Sequence, residues 1–199
     1  MVGIQMMALN FQNIGLEMLM NTTLFDENGQ CGYVLKPQAL RDPAANINIF
    51  GETFHTMVLA NRVEIRVISG QLISTLFVNK TSITTYVQVD FYGLPLEQMK
   101  DRYKTKTVAN NGINPIYGSV KEPPFVFEKI RFPERSFLHI RLMTDRHEQV
   151  GHRLLPIHLL TNGYRHIILR NSLNKLAGPA SIFVQIKVTY YTQASHKGT

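Results

Sequence analysis

The residues whose types and spacing could do chemistry are mostly basic. Arg102, Lys104 and Lys106 recur at every second position. On an extended strand that spacing points the three side chains to one face, about 6.5 to 7 Å apart. Lys129 and Arg131 repeat it in the next strand-like run. If the two runs pair, five cations gather in one patch, which serves either as an ordinary solvated outer face or as a docking surface for anionic lipid or a neighbouring domain. Near an anionic membrane each such residue contributes about 1 kcal/mol, so the five together support weak, reversible attachment. Leu72, Ile73, Leu76, Phe77 and Val78 add an apolar loop. It can dip into lipid, dock on a neighbour, or pack beneath itself.

The seven histidines are His55, His139, His147, His152, His158, His166 and His196. No two of them have the HxxxH-with-Glu spacing of a zinc hydrolase. His152 and His158 lie on opposite sides of Pro156 and share no helical face. All seven read as structural or solvated. Nucleic-acid surfaces interleave cations with aromatics. Tyr103 does alternate with Arg102 and Lys104, but on the opposite face of the strand, where it belongs to a core. There is no zinc-binding cysteine set and no RNP string, so no nucleic-acid partner is expected.

The chain has 199 residues, 44% hydrophobic and 18% charged, within the range of one or two globular domains. No apolar run reaches the roughly 18 residues of a membrane-spanning helix, and the N-terminus lacks the pattern of a signal peptide. Cys31 is the one cysteine, which suits a reducing cytosol. The sequons at Asn21 and Asn79 read as chance matches. The net charge of +7 is uneven: residues 1–60 hold two basic and five acidic residues, net −3, and the remainder holds 19 basic and 9 acidic, net +10. A basic C-terminal region implies an acidic partner.

The elements that must position these residues fall into two groups. Residues 5–11 (QMMALNF) read as a buried strand, 14–25 as a short helix with apolar residues at Leu16, Leu19, Met20 and Leu24, and 31–36 as extended again after an Asn28-Gly29 turn. About 37 residues are too few for a core of their own. Residues 38–60 have no clean period and read as a linker. From Asn61 onward short alternating runs predict eight strands: 63–67, 84–92, 103–108, 125–132, 137–143, 150–155, 164–169 and 181–190. In the last, Ile182, Val184, Ile186 and Val188 face one way, and Gln185, Lys187 and Thr189 the other.

Gly3–Gln12 (GIQMMALNFQ) and Asn28–Pro37 (NGQCGYVLKP) resemble the end of the Y half of the catalytic barrel in eukaryotic phosphoinositide-specific phospholipases C. Val67–Gln71 (VISGQ), Asn110–Tyr117 (NNGINPIY), Val150–Pro156 (VGHRLLP) and Asn162–Leu169 (NGYRHIIL) resemble the C2 domain that follows that barrel. Tyr86–Leu94 (YVQVDFYGL) and Arg165–Asn171 (RHIILRN) lean toward the beta class. The resemblance implies a mostly β fold: an eight-stranded antiparallel C2 β-sandwich over 61–191, preceded by the last β/α unit of a truncated TIM-type barrel over 1–37, with a linker at 38–60 and a tail at 192–199.

It also implies a reaction, the hydrolysis of phosphatidylinositol bisphosphate to diacylglycerol and inositol trisphosphate, with calcium bound in the barrel. In the family the catalytic histidines and calcium-binding carboxylates lie in the X half, and the inositol-holding arginine and tyrosine lie upstream of the string matching Gly3. No catalytic residue is therefore expected in this chain. The basic patch Arg102, Lys104, Lys106, Lys129 and Arg131 becomes a candidate surface for anionic lipid or for the barrel.

Calcium-binding C2 domains collect four or five aspartates on loops at one end. Here Gln71–Ser82 carries no carboxylate, and Thr144–Gln149 (TDRHEQ) offers only Asp145 and Glu148 beside Arg146 and His147. Calcium takes six to eight oxygen ligands. These two are the only candidate ligands, and no metal or other cofactor is expected in the chain. The implied partners are an anionic membrane surface, the phosphoinositide substrate and, for the full-length enzyme, a G-protein alpha subunit of the Gq class. The implied location is cytoplasmic and peripheral at the membrane. Met1-Val2 stands where the family continues upstream, which suggests a fragment inactive alone. The chain stops at Thr199, so weak or absent Gq binding is expected. A stand-alone, non-catalytic C2 docking module is the alternative.

Overall fold

The computed structural model describes residues 8–12, 14–42, 61–78, 83–93, 102–119 and 121–190. Most of the expected linker, the tail, Asn79, His55 and His196 lie outside them. Two helices, α1 (Leu16–Asp26) and α2 (Gln38–Arg41), precede eight strands: β1 (Asn61–Gln71), β2 (Thr85–Tyr92), β3 (Tyr103–Lys104), β4 (Phe125–Ile130), β5 (Phe137–Thr144), β6 (Gln149–Pro156), β7 (Gly163–Arg170) and β8 (Leu176–Thr189). All eight lie where the alternation predicts them, with shifted ends.

The strands follow one another in the order β3-β2-β5-β6-β7-β8-β1-β4, and every ladder is antiparallel. The link between β6 and β7 is the single pair His152↔Arg170. There the sheet folds over into two layers, β3-β2-β5-β6 and β7-β8-β1-β4. Between them lie Val87, Val89 and Phe91 of β2, Leu138, Ile140 and Leu142 of β5, Val63, Ile65 and Val67 of β1, and Ile182, Val184, Ile186 and Val188 of β8. Each such side chain contributes about 1.5–3 kcal/mol by leaving water. The β8 residues are those the alternation predicts.

The free ends of the order, β3 and β4, meet across a seam. Tyr103 stacks on Phe125 with ring centroids 4.9 Å apart, and meets Phe127 edge-on at 5.2 Å. Its hydroxyl donates to the Val126 carbonyl at 2.9 Å. β3 is shorter than the expected 103–108 because a side chain takes over its pairing. The Val87 amide donates to Thr105 Oγ1 at 3.0 Å, while the Thr105 amide donates to the Val87 carbonyl at 2.9 Å. Backbone bridging resumes at Val108, opposite Thr85.

In the turn at 110–117 the positive φ falls on Asn110 (55°) and not on Gly112. Asn111 Oδ1 accepts from the amides of Ile113 and Asn114 at 3.2 and 3.1 Å, an Asx turn. Gly112 supplies room instead, since a Cβ there would stand 2.6 Å from Ile83 Cδ1. After Pro115 the chain is extended, and Ile116 bridges Ser69.

α1 forms where the spacing predicts a helix. The turn after it places Gly29 and Gln30 at φ 69° and 63°. The strand expected over 5–11 is not seen in its described part: Ala8–Asn10 are irregular and Phe11–Gln12 form a turn. Among the described residues no strand lies beside it, and an unpaired segment has no ladder to satisfy its backbone. α1 packs on the outer face of β5 and β6, where Leu19, Phe137 and Leu154 form a small cluster ringed by Ile14, Met20 and Tyr92. Asp26 pairs with Arg170 at 3.3 Å and Glu27 with His158 at 3.1 Å. The N-terminal segment thus borrows its core from the sandwich.

Candidate docking surface

The outer face of β2 carries Tyr86, Gln88 and Asp90 opposite Met143, Arg141 and His139 of β5. Asp90 accepts from Arg102 Nε at 3.0 Å, from Arg141 Nε at 2.9 Å and from a second Arg141 nitrogen. Gln88 Nε2 reaches both carboxylate oxygens at 3.1 and 3.0 Å. Asp90 and Arg141 are mostly buried, whereas the Arg102 side chain is 59% exposed. The Arg141 contact is therefore the one shielded from water, and the Arg102 contact is an ordinary surface pair.

Next to it stands a histidine pair. His152 Nε2 lies 2.9 Å from the Asn171 carbonyl, so that nitrogen carries the proton and donates. His152 Nδ1 then accepts from His139 Nε2 at 3.3 Å. His139 Nδ1 is buried without a hydrogen-bond partner, as suits a neutral ring. Burial first, and then the charges of His152 and Arg141, hold the His139 pKa down to about 3 against the pull of Asp90. Burial also lowers His152, opposed by its bond to Asn171. Neither the pair nor the Asp90 cluster carries a spacing signal in the sequence; strand register alone brings these residues together.

The five predicted cations fall in two groups. Arg102 rests on Asp90, Lys104 Nζ lies 5.6 Å from the Tyr86 ring centroid, and Lys106 Nζ is 3.3 Å from Glu122. Lys129 is exposed at φ 58°, in a bulge where the β1–β4 register shifts. Arg131 is half-buried just past β4. The two runs do not pair: β3 ladders with β2, and β4 with β1. Tyr103 fills the seam between them and takes the Val126 carbonyl, so side chains close that edge in place of a ladder. Arg66, which stands outside both basic runs, joins Lys104, Lys106 and Glu122 around a small cleft of about 90 Å³ there. Its place in the alternation Val63, Ile65, Val67 is the signal that it faces outward.

Asp145 and Glu148 sit in a tight, exposed turn between β5 and β6. Thr144 closes it, accepting from the His147 amide at 3.0 Å and donating its own amide to the Glu148 carbonyl at 2.9 Å. His147 stands at φ 63°, with its Nδ1 2.8 Å from the Tyr86 hydroxyl. Among the described residues no three His, Cys, Asp or Glu side chains come together. Two carboxylates beside Arg146 do not fit calcium's demand for six to eight oxygens. The apolar loop divides: Ile73 is fully buried, Leu76 and Phe77 pack on the core, and Leu72 and Val78 face solvent.

Comparison with known proteins accounts for both parts of the chain. The family model described as phosphatidylinositol-specific phospholipase C, Y domain, matches residues 1–39. The protein named 1-phosphatidylinositol 4,5-bisphosphate phosphodiesterase beta-4 from Bos taurus is 41% identical over 189 residues, covering 95% of this chain and 18% of that protein. The crystal structure of L. pealei PLC21 matches with a TM-score of 0.81 at 38% identity, covering 95% of this chain and 23% of that one. A C2 domain of plant Extended Synaptotagmin 1 matches with a TM-score of 0.51 at 17% identity, over 68% of this chain and 98% of that domain, a likeness of fold alone. The chain thus spans about a fifth of the length of the phospholipase relatives it matches. Across the end of the Y domain and the C2-like sandwich that follows it, the chain belongs to the phosphoinositide-specific phospholipase C family, beta class.

Proposed function

We propose that this chain is the barrel end and docking domain of a longer phosphoinositide phospholipase C. That enzyme would hydrolyse phosphatidylinositol 4,5-bisphosphate to diacylglycerol and inositol trisphosphate in G-protein-coupled signalling. The observation that carries this reading is an alignment with a phosphodiesterase of that name running through barrel end and sandwich alike. In this reading residues 1–37 close the barrel, 38–60 link, 61–191 form the C2 domain and 192–199 are a tail. Calcium and the catalytic groups belong to the rest of the barrel.

Support for a positioning role comes from the sandwich's buried polar and charged groups, which engage one another. Asp90 is held by two arginines, and His139 and His152 hold each other. No helix among the described residues is long and apolar enough to cross a membrane; the location proposed is the cytoplasm, with peripheral attachment to the membrane. The attachment surface is Arg102, Lys104, Lys106, Lys129 and Arg131, of which Arg102 also holds Asp90. The Lys106–Glu122 contact is exposed on both sides and worth under about 1 kcal/mol, so a lipid phosphate competes with it. For the longer enzyme, a Gq-class alpha subunit is the proposed regulator.

Vesicle co-sedimentation tests the attachment. The chain should bind phosphatidylserine-containing vesicles and not pure phosphatidylcholine. Combined Lys104→Gln, Lys106→Gln, Lys129→Gln and Arg131→Gln should weaken binding at least about tenfold. Equal binding to both vesicles, or an unaffected variant, would overturn the assignment.

A further inference from the structure

Beyond the single pair His152↔Arg170, β6 and β7 diverge, and the wedge between them holds a cavity of about 670 Å³. That is within the usual range for small-molecule sites. Its lining is unusual for an edge of a hydrophobic core. Arg153 pairs with Ile140 and Arg165 with Val184, both of them core residues. In an antiparallel ladder directly opposed residues share a face. Both arginines therefore occupy core-facing positions, one on each lip of the wedge. Leu155, Leu160 and Ile167 line the wall beside them, and Arg170 the closed end.

Among the described residues no carboxylate lines the cavity. Asp26 pairs with Arg170 at 3.3 Å, but Arg170 Nε is buried without a partner. Arg165 spends its Nε on the Thr161 carbonyl at 3.3 Å, which leaves its terminal nitrogens available. Arg153 is half-buried and forms no hydrogen bond or ion pair with a described residue. Three guanidinium groups thus line the cavity beside an apolar wall, and Asp26, next to Arg170 and Arg153, is the carboxylate near them.

We infer that this wedge binds a single-chain anionic amphiphile. A carboxylate or phosphate head would sit between Arg153 and Arg165, whose planar forks match either group, and the chain would lie on Leu155, Leu160 and Ile167. A compact ligand is favoured over an acidic peptide strand because β6 and β7 splay apart and offer no straight edge along both. The site is separate from the cations at the β3–β4 seam and does not depend on the proposed attachment surface.

Calorimetric titration of the 199-residue chain tests this with four probes: octyl phosphate and octanoate for the two possible heads, inorganic phosphate without a chain, and octyl glucoside without a charge. At least one of the first two should saturate a single site with Kd below about 100 µM. The other pair should bind at least about tenfold more weakly. Arg153→Gln and Arg165→Gln should each weaken binding several-fold; Arg165 is exposed, so its variant keeps the fold. The inference is overturned if neither charged amphiphile binds, if octyl glucoside binds as tightly, if both variants bind unchanged, or if only an acidic peptide occupies the site.

Discussion

Asp90 on β2 and Arg141 on β5 form a two-point contact across neighbouring strands, with Arg141 Nε 2.9 Å from the carboxylate and both side chains largely shielded from water. Asp90→Ala strands Arg141 and should cost about 3–5 kcal/mol. Arg102→Ala removes only an exposed partner of the same carboxylate and should cost under about 1 kcal/mol. Urea unfolding of the two variants gives the comparison; equal losses would mean that burial does not separate the two contacts.

The histidine pair sets a pH dependence. A histidine in the unfolded chain takes up its proton near 6.5, whereas His139 in the fold resists until about 3. Between those values the unfolded state binds more protons, so stability falls as pH falls below about 6.5, by up to about 1.4 kcal/mol per pH unit from this group. His152, lowered by burial, acts in the same direction. Melting temperature should drop between about pH 7 and pH 5, and His139→Gln should flatten that drop. A wild-type melting temperature that rises on acidification would contradict this.

Gly118 is a place where the backbone leaves no room. A Cβ there would lie 2.5 Å from the Val67 carbonyl oxygen, and neither chain can yield without disturbing β1. Gly118→Ala should cost about 1–3 kcal/mol. Gly112→Ala meets a side chain that can turn away, and should cost less. Thermal melts of the two variants give the order.

The docking of α1 rests on Leu19 against Phe137 and Leu154. Leu19→Ala should cost about 2 kcal/mol, the low end for a leucine in a cluster this small. Amide exchange should quicken in α1 and stay slow in β5. Equal quickening in both would mean that helix and sandwich open as one unit.

Much of the sandwich is legible in the sequence because its inner strand faces alternate simply: Ile182, Val184, Ile186 and Val188 can face only one way. β3 ends earlier than its alternation predicts because Thr105 pairs through its hydroxyl, which periodicity does not register. The two basic runs lie on strands that meet without a ladder, since pairing depends on strand order, and Tyr103 and Phe125 close that seam with rings. Asp90 with Arg141, His139 with His152, and Arg153 with Arg165 are invisible in the sequence for a common reason. Each pair lies on different strands: register joins the first two, and the two arginines line opposite sides of the wedge where β6 and β7 part. At Gly112 no positive φ calls for a glycine, and what a side chain would meet there first is the tip of Ile83.

Hydrolysis of phosphatidylinositol 4,5-bisphosphate in mixed vesicles, with calcium present, is the most direct measurement. The 199-residue chain alone should give background rates while still binding the vesicles. Inositol trisphosphate released above background by this chain alone would contradict the assignment of the chemistry to the rest of the barrel.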